Sequence, residues 1–358
     1  MRTSLIICLL TALRVAFVGD PQVDNEKELD YARRSIYAEL RQRSDIDLVI
    51  VLGDLVNENP ALVAPSEAIL DSLGRPWVRV NGNHDGPVSP RDTVISRGNV
   101  HFILMDNVRR TRKGYEGGLR KSQKEWLQAV VDAIPRDERL VLCTHIPLSQ
   151  TRGRDSLSNI ISAHSQVLAV CGHTHYAERH LLERGVEEVV AGAACGSWWR
   201  GVKDDAGVPY ALMNCGAPRG WYIADFKTSG HSRKWYGLQY KAVGRPDVCS
   251  AHVRDGRLVV NVYGGSREGS VQVRLNGRWM PLRHSYELAP EVADLIGFNH
   301  AQTREYRKAH RDEFIPARRL PSPHIWAENV SALAPGDKVK IRYADPSMSF
   351  NTSVEIKN

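Results

Sequence analysis

The sequence predicts an α/β layered core followed by an all-β, sandwich-like C-terminal domain, and three observations carry that expectation. Through the first two-thirds of the 358 residues, short apolar runs alternate with stretches of helical periodicity. Most of these apolar runs end abruptly at Gly-Asp, Gly-His or Asn-Gly-Asn, as buried strands do when they enter tight turns. Beyond about residue 230 helical periodicity fades. Short alternating runs take over, separated by turn signals such as Asn276-Gly277 and Pro335-Gly336-Asp337.

Taken in order, Val15–Val18 opens the core as a strand ending at Gly19-Asp20. Residues 26–43 read as a helix with Leu29, Ile36 and Leu40 on one face. Leu48–Leu52 is a second strand ending in Gly-Asp, residues 61–73 a helix, and 77–80 a strand running into Asn81-Gly82-Asn83-His84-Asp85. Val100–Met105 is a strand, and 122–134 a helix with Ser122 as cap and Glu125 three residues on. Leu140–Cys143 and Val167–Cys171 are strands that stop at Thr144-His145 and Gly172-His173. Residues 234–240, 257–263, 270–275, 339–343 and 353–357 read as C-terminal strands, and 290–319, polar and basic, as a long loop. The implied division is a signal peptide at 1–13, a core domain at 14–230 and a β-rich domain at 231–358.

A hydrophobic share of 42% and a charged share of 25% exclude a disordered, collagen-like or coiled-coil chain. Six Cys are too few for a disulfide scaffold. The apolar run Thr3–Leu13 follows Arg2 and is shorter than the roughly 18–20 residues a membrane span requires. It has the shape of a signal peptide, with cleavage possible after Ala12, and implies export to a periplasmic or extracellular site. The alternative is a cytoplasmic protein in which this run leads into the first strand. A formal charge of +7 suits an anionic substrate and is too weak to indicate nucleic acid.

The chemistry concentrates at the strand ends. Asp20 and Gln22, Asp54, Asn83 with His84 and Asp85, His145, and His173 with His175 come from five separate strand ends, and in open α/β sheets that edge binds ligands. Singly, each has an ordinary reading as a turn or cap residue. Jointly, they form a mixed oxygen and imidazole set suited to Mn, Fe or Zn and unlike an all-oxygen calcium site. Two divalent ions about 3.5–4 Å apart need a shared anionic ligand.

These residues resemble the calcineurin-like metallophosphoesterase superfamily through Gly19-Asp20-Pro21-Gln22, Gly53-Asp54, Gly82-Asn83-His84-Asp85, His145 and Gly172-His173-Thr174-His175. Residues 192–199 and 235–246 are similar to a subgroup with an appended C-terminal domain. The resemblance implies a four-layer α/β/β/α core and a dinuclear centre bridged by Asp54. Asp20, Gln22 and His175 would complete one metal site, and Asn83, His145 and His173 the other. His84 would protonate the leaving oxygen, with Asp85 orienting its ring. Gln22 stands where most of the superfamily has His, so that site is expected to be weaker and biased towards Mn or Fe(II) over Zn.

The implied reaction is attack of a metal-activated hydroxide on a phosphomonoester or phosphodiester of an envelope, sugar or nucleotide phosphate. Trp198, Trp199, Arg200 and Arg219 are candidate substrate contacts. The expected partner is a small phosphorylated substrate, with no stable nucleic-acid partner and no transmembrane segment; the sequence leaves the oligomeric state open. Two further readings remain: a metal-dependent nuclease using the basic stretch 304–319, and an envelope carbohydrate-binding protein with a vestigial metal core.

Overall fold

The computed structural model describes residues 12–86, 92–228, 235–315, 317–331 and 333–358. Residues 1–11 of the expected signal peptide and the expected domain boundary at 230/231 therefore lie outside the described residues. The core strands are β1 (Ala12–Val18), β2 (Leu48–Val51), β3 (Trp77–Arg79), β4 (Thr93–Arg97), β5 (Val100–Leu104), β6 (Val108–Thr111), β7 (Gly114–Gly118), β8 (Arg139–Cys143), β9 (Thr151–Arg152), β10 (Val167–Cys171), β11 (Ala177–Leu181), β12 (Glu187–Ala191), β13 (Gly220–Lys227) and β14 (Tyr236–Ala242). Then follow β15 (Cys249–Arg254), β16 (Arg257–Val262), β17 (Ser270–Leu275), β18 (Arg278–Glu287), β19 (Ser322–Asn329), β20 (Lys338–Ala344) and β21 (Ser349–Lys357). The helices are α1 (Glu26–Ala32), α2 (Ala38–Gln42), α3 (Val63–Asp71), α4 (Lys121–Ala133), α5 (Arg154–Ile161), α6 (Pro290–Ala301) and α7 (Arg304–Ala309), with a wider π-type turn over Arg33–Tyr37 joining α1 to α2.

Two sheets build the core. One has the order β14-β13-β1-β2-β3 and the other β11-β12-β10-β8-β5-β4. The central strands β5, β8 and β10 of the second sheet are buried on both faces, which is why they read as unbroken apolar runs. Alternate residues divide cleanly. Phe102, Leu104, Val141, Cys143, Leu168 and Val170 join the core shared with the first sheet. Ile103, Leu140, Leu142, Val167 and Ala169 instead pack with Leu127 and Val131 of α4 and Leu157 and Ile161 of α5. Phe226 of β13 meets Phe17 and Phe102 edge to face at 6.4 and 5.5 Å, so one aromatic stack joins the two sheets. Truncating Phe102 to Ala costs about 3–5 kcal/mol by the usual large-to-small rule.

The C-terminal β domain closes into a barrel in the order β15-β16-β19-β18-β17-β20-β21. Its last seam pairs β15 and β21 in parallel through Ala251 and Ile356, and closure removes exposed sheet edges. Trp326, Ile341, Tyr343 and Val260 fill the interior. Arg179 of β11, with an almost fully buried side chain, bonds Glu187, Asp345 and Ser347 and so ties the core to the barrel.

Several boundaries differ from the sequence expectation. β1 already begins at Ala12 and pairs it with Lys227, and Leu13 is buried, so the core includes two residues assigned to the signal peptide. The strand expected to open the C-terminal domain is β14, which pairs with β13 at the edge of the first core sheet. The segment 290–319 is not a long loop: Pro290 starts α6, which buries Val292 and Ile296, and Thr303 caps α7. Helix α4 starts one residue earlier than expected, and Gln123 accepts from the Arg120 backbone N–H in place of a Ser122 cap.

Candidate metal centre

The seven expected ligands converge at one edge of the paired sheets, and the backbone shows how. Asp20, Gln22, Asp54, His173 and His175 all have positive φ, between 41° and 76°. Left-handed backbone at non-glycine residues costs of order 1–3 kcal/mol each and persists only where the surroundings impose it. Each bend turns the chain sharply at the strand end, so that the side chain faces the other loops. Glycines then permit close approach. A Cβ at Gly82 would sit 2.1 Å from the Asp54 backbone N and Oδ1, and one at Gly172 would sit 2.5 Å from Asp20 Oδ2.

Asp54, His145 and His173 place their ligand atoms within 4.8 Å of one another. His145 Nε2 lies 3.4 Å from Asp54 Oδ2, 2.9 Å from Asn83 Oδ1 and 3.2 Å from His173 Nδ1. The other ring nitrogen of His145 meets the Leu52 carbonyl at 2.8 Å, the partner that fixes a ligating imidazole in place. Asp20 lies on the other side. Its carboxylate accepts the His173 backbone N–H at 2.9–3.1 Å and stands 3.8 Å from His175 Nε2. His175 Nδ1 meets the Gly196 carbonyl at 2.8 Å, which leaves Nε2 facing Asp20. Gln22 Oε1 is buried with no hydrogen-bond partner among the described residues, as is Asn83 Nδ2.

The titration of His173 and His175 suits ligation. Burial, followed for His173 by the charge of His145, holds His173 and His175 down to about 4, so both are neutral at pH 7. Burial works against charging His145, but Asp54 and Asp20 outweigh it and push the ring up to about 9. Burial likewise opposes ionisation of Asp54, and the His145 charge overcomes it to hold the carboxylate down to about 2. A cluster of facing acceptors, with a buried amide oxygen left unpaired, suits cations as the missing partners.

The His84 backbone N–H donates to Asp54 Oδ1 at 2.9 Å, which places this residue against the centre. Asp85, expected to orient the His84 ring, does something else. Its oxygens accept the Val56 and Gly82 N–H groups at 3.2 and 3.0 Å, and Arg79 Nη1 lies 3.7 Å away. Asp85 thus holds the loop that carries Asn83, and the reason is local: side chains of consecutive loop residues point apart. The carboxylate beside His84 Nδ1 is that of Glu58, at 3.3 Å.

The expected substrate contacts separate. Trp198 stacks on His175 with ring centroids 6.2 Å apart and planes 13° apart, so it borders the centre. Arg200 lines an adjoining cavity of about 250 Å³ with Trp198, Asp24 and Arg311. Trp199 is buried and donates to the Pro21 carbonyl at 2.8 Å, bracing the loop between Asp20 and Gln22. Arg219 is buried behind it, 5.3 Å over the Trp199 ring and bonded to Ser35 and the Pro209 carbonyl. Arg219 is thus a packing residue, and Trp199 acts on the metal loop from behind. Sequence reasoning missed Arg110 and Tyr115. Arg110 Nη2 donates to the Asn83 carbonyl at 2.5 Å, and the Tyr115 ring meets His173 edge to face at 5.6 Å.

Comparison with known proteins agrees with this geometry. Residues 13–177 match the family model of calcineurin-like phosphoesterases, and residues 188–348 match that of the C-terminal domain of calcineurin-like phosphoesterase. No curated protein matches the chain. Among solved structures, the chain is similar to a dimetal phosphatase from Danio rerio, at 14% identity and a TM-score of 0.45, over 70% of this chain and 96% of that one. It is similar to purple acid phosphatase PPD1 from yellow lupin, Lupinus luteus, at 15% identity and 0.44, over 70% of this chain and 51% of that one. It is also similar to a 5'-nucleotidase from Candida albicans, at 8% identity and 0.40, over 96% of this chain and 90% of that one.

Proposed function

Because this chain belongs to the calcineurin-like phosphoesterase family and is a metallophosphoesterase, we propose that it hydrolyses small phosphomonoesters at the centre formed by Asp20, Gln22, Asp54, Asn83, His145, His173 and His175. The observation that carries the reading is the convergence of these side chains, with Gln22 Oε1 buried and unpartnered among the described residues. Asp54, Asn83, His145 and His173 would hold one divalent ion, and Asp20, Gln22 and His175 the other, with Asp54 shared. When bound, such ions supply Lewis acidity to the phosphoryl group and lower the pKa of a water.

The chain's own residues do the remaining work. His84, held at its backbone by Asp54, gives a proton to the leaving oxygen. Glu58 places a carboxylate 3.3 Å from His84 Nδ1, beside the ring. Arg110 adds a fixed positive charge beside Asn83, which supports a dianionic monoester over a singly charged diester. Trp198, stacked on His175, borders the proposed centre. Mn or Fe(II) is the proposed metal for the Gln22 side, where an amide oxygen replaces imidazole. Export belongs to the same proposal. Any cleavage would precede Ala12, because Leu13 is buried in β1; N-terminal sequencing of the protein from the cell exterior tests it.

The reaction is tested by reconstituting the protein with Mn, Fe(II) or Zn and offering p-nitrophenyl phosphate, bis-p-nitrophenyl phosphate, nucleotides and single-stranded DNA. Monoester turnover exceeding diester turnover is expected. Absence of turnover with metal demonstrably bound would move the assignment to a binding protein, and dominant cleavage of DNA would move it to a nuclease.

A further inference from the structure

The hairpin β6–β7 carries four cations, Arg109, Arg110, Arg112 and Lys113, against one carboxylate, Glu116. Its root is fixed to the metal centre. Asn107, just before β6, donates through Nδ2 to the Ile146 carbonyl at 2.7 Å and accepts the Ile146 N–H at 3.1 Å, and Ile146 follows the ligand His145. A Cβ at Gly117 would come within 2.9 Å of the Ile146 side chain, so the strand lies directly on that loop. β9 extends the sheet through Gly117–Thr151 and Gly118–Arg152. From this root, Arg110 reaches Asn83 and Tyr115 reaches His173, two ligands from different loops.

The charges divide along the hairpin. Glu116 is taken up by Arg109 at 3.7 Å and Arg152 at 4.0 Å. Arg112 and Lys113, at the exposed turn, form no ion pair among the described residues, and Arg110 meets no carboxylate there. A guanidinium carries five N–H donors, and the contact to Asn83 uses one. Two cations at the exposed turn, unpaired among the described residues, and a third beside Asn83 therefore give the hairpin an excess of positive charge.

We propose that the β6–β7 hairpin selects a phosphoester bearing a second anionic group, with Arg110 beside the reacting phosphate and Arg112 and Lys113 at the second anion. The inference rests on the phosphomonoesterase reading above. The shared chemistry is a second phosphate or a carboxylate on the same small molecule, spaced from the reacting phosphate by the length of the hairpin.

A matched hexose series separates the sources: fructose 6-phosphate with one anionic group, 6-phosphogluconate with an added carboxylate, and fructose 1,6-bisphosphate with a second phosphate. For the metal-loaded enzyme, kcat/KM is expected to be about fivefold or more higher for a doubly anionic member than for fructose 6-phosphate, the scale of two exposed charge contacts. The preferred member names the second group. The double variant Arg112→Ala/Lys113→Ala should collapse that ratio towards one, mainly through KM. Arg112→Lys/Lys113→Arg should restore it. A second readout needs no turnover: calorimetric titration of metal-stripped protein with fructose 1,6-bisphosphate, where the Ala double variant should lose affinity. A ratio near one in the wild type, or a ratio or affinity indifferent to the double variant, overturns the proposal. So does a double variant that loses only DNA binding. Failure of all esters, including p-nitrophenyl phosphate, counts against the proposed reaction itself, and the titration still decides the hairpin.

Discussion

The two halves of the metal centre are built differently. On one side Asp54, Asn83, His145 and His173 already crowd together, with His145 Nε2 within 3.4 Å of a ligand atom from each of the other three. On the other, His175 Nε2 and Asp20 stand 3.8 Å apart, and the third ligand is an amide oxygen with no partner among the described residues. Preorganised ligands lose little freedom when an ion arrives. An amide oxygen is also a weaker donor to borderline metals than imidazole. In the proposed centre this difference would make the His145 side the anchor and the Gln22 side the adjustable half.

The strongest way to break this comparison is to remove the shared ligand. Asp54→Asn is expected to lower kcat by more than about 100-fold, beyond the loss from an outer partner alone, and to reduce bound metal on both sides by elemental analysis. His84→Asn should lower kcat about 10²–10⁴-fold, the range for a general acid, with metal content unchanged. Retained kcat would remove that role.

Smaller changes sharpen it. Gln22→His should raise zinc affinity on the adjustable half alone by about tenfold, as measured by competition with a chelator. An equal change on both halves would contradict the asymmetry. Glu58→Gln should lower kcat about tenfold with an unchanged melting temperature. Asp85→Asn should instead lower the melting temperature and loosen the metal held by Asn83, because Asp85 anchors two backbone N–H groups.

A further expected effect lies away from both halves. Burial holds His324 down to about 4 from its ordinary 6.5. Between these values the unfolded chain binds a proton that the folded chain does not, so this residue lowers stability as pH falls through that window. Relative to wild type, His324→Gln should lose less melting temperature between pH 7 and pH 4. A parallel pair of curves would refute that linkage.

Much of this was legible because strand burial and ligand placement are both local signals. Val167–Cys171 reads as a strand because both faces are covered, and His173 follows it after Gly172. What depended on distant pairing was not legible. β14 belongs to the core sheet only because β13 offers it an edge. α6 was obscured by its weak pattern: beside the buried Val292 and Ile296 and the partly buried Leu295, the apolar Phe298 is exposed, and Gly297 interrupts the run. The family resemblance pointed to Asp85 as the partner of His84, whereas the nearby carboxylate, Glu58, comes from the loop after β2. Arg110 and Tyr115 reach the centre because the hairpin root rests on the distant loop at Ile146. Arg219 and Trp199 carried the right chemistry for a substrate contact but were drawn inward by packing.

The left-handed backbone at Asp20, Gln22, Asp54, His173 and His175 also bears on how such a site could be lost. At each of these positions glycine would relax the chain, yet glycine offers no donor atom. A lineage freed from the need for catalysis would gain stability by abandoning these side chains, one after another. Their joint presence, on a backbone that resists them, fits the proposed centre.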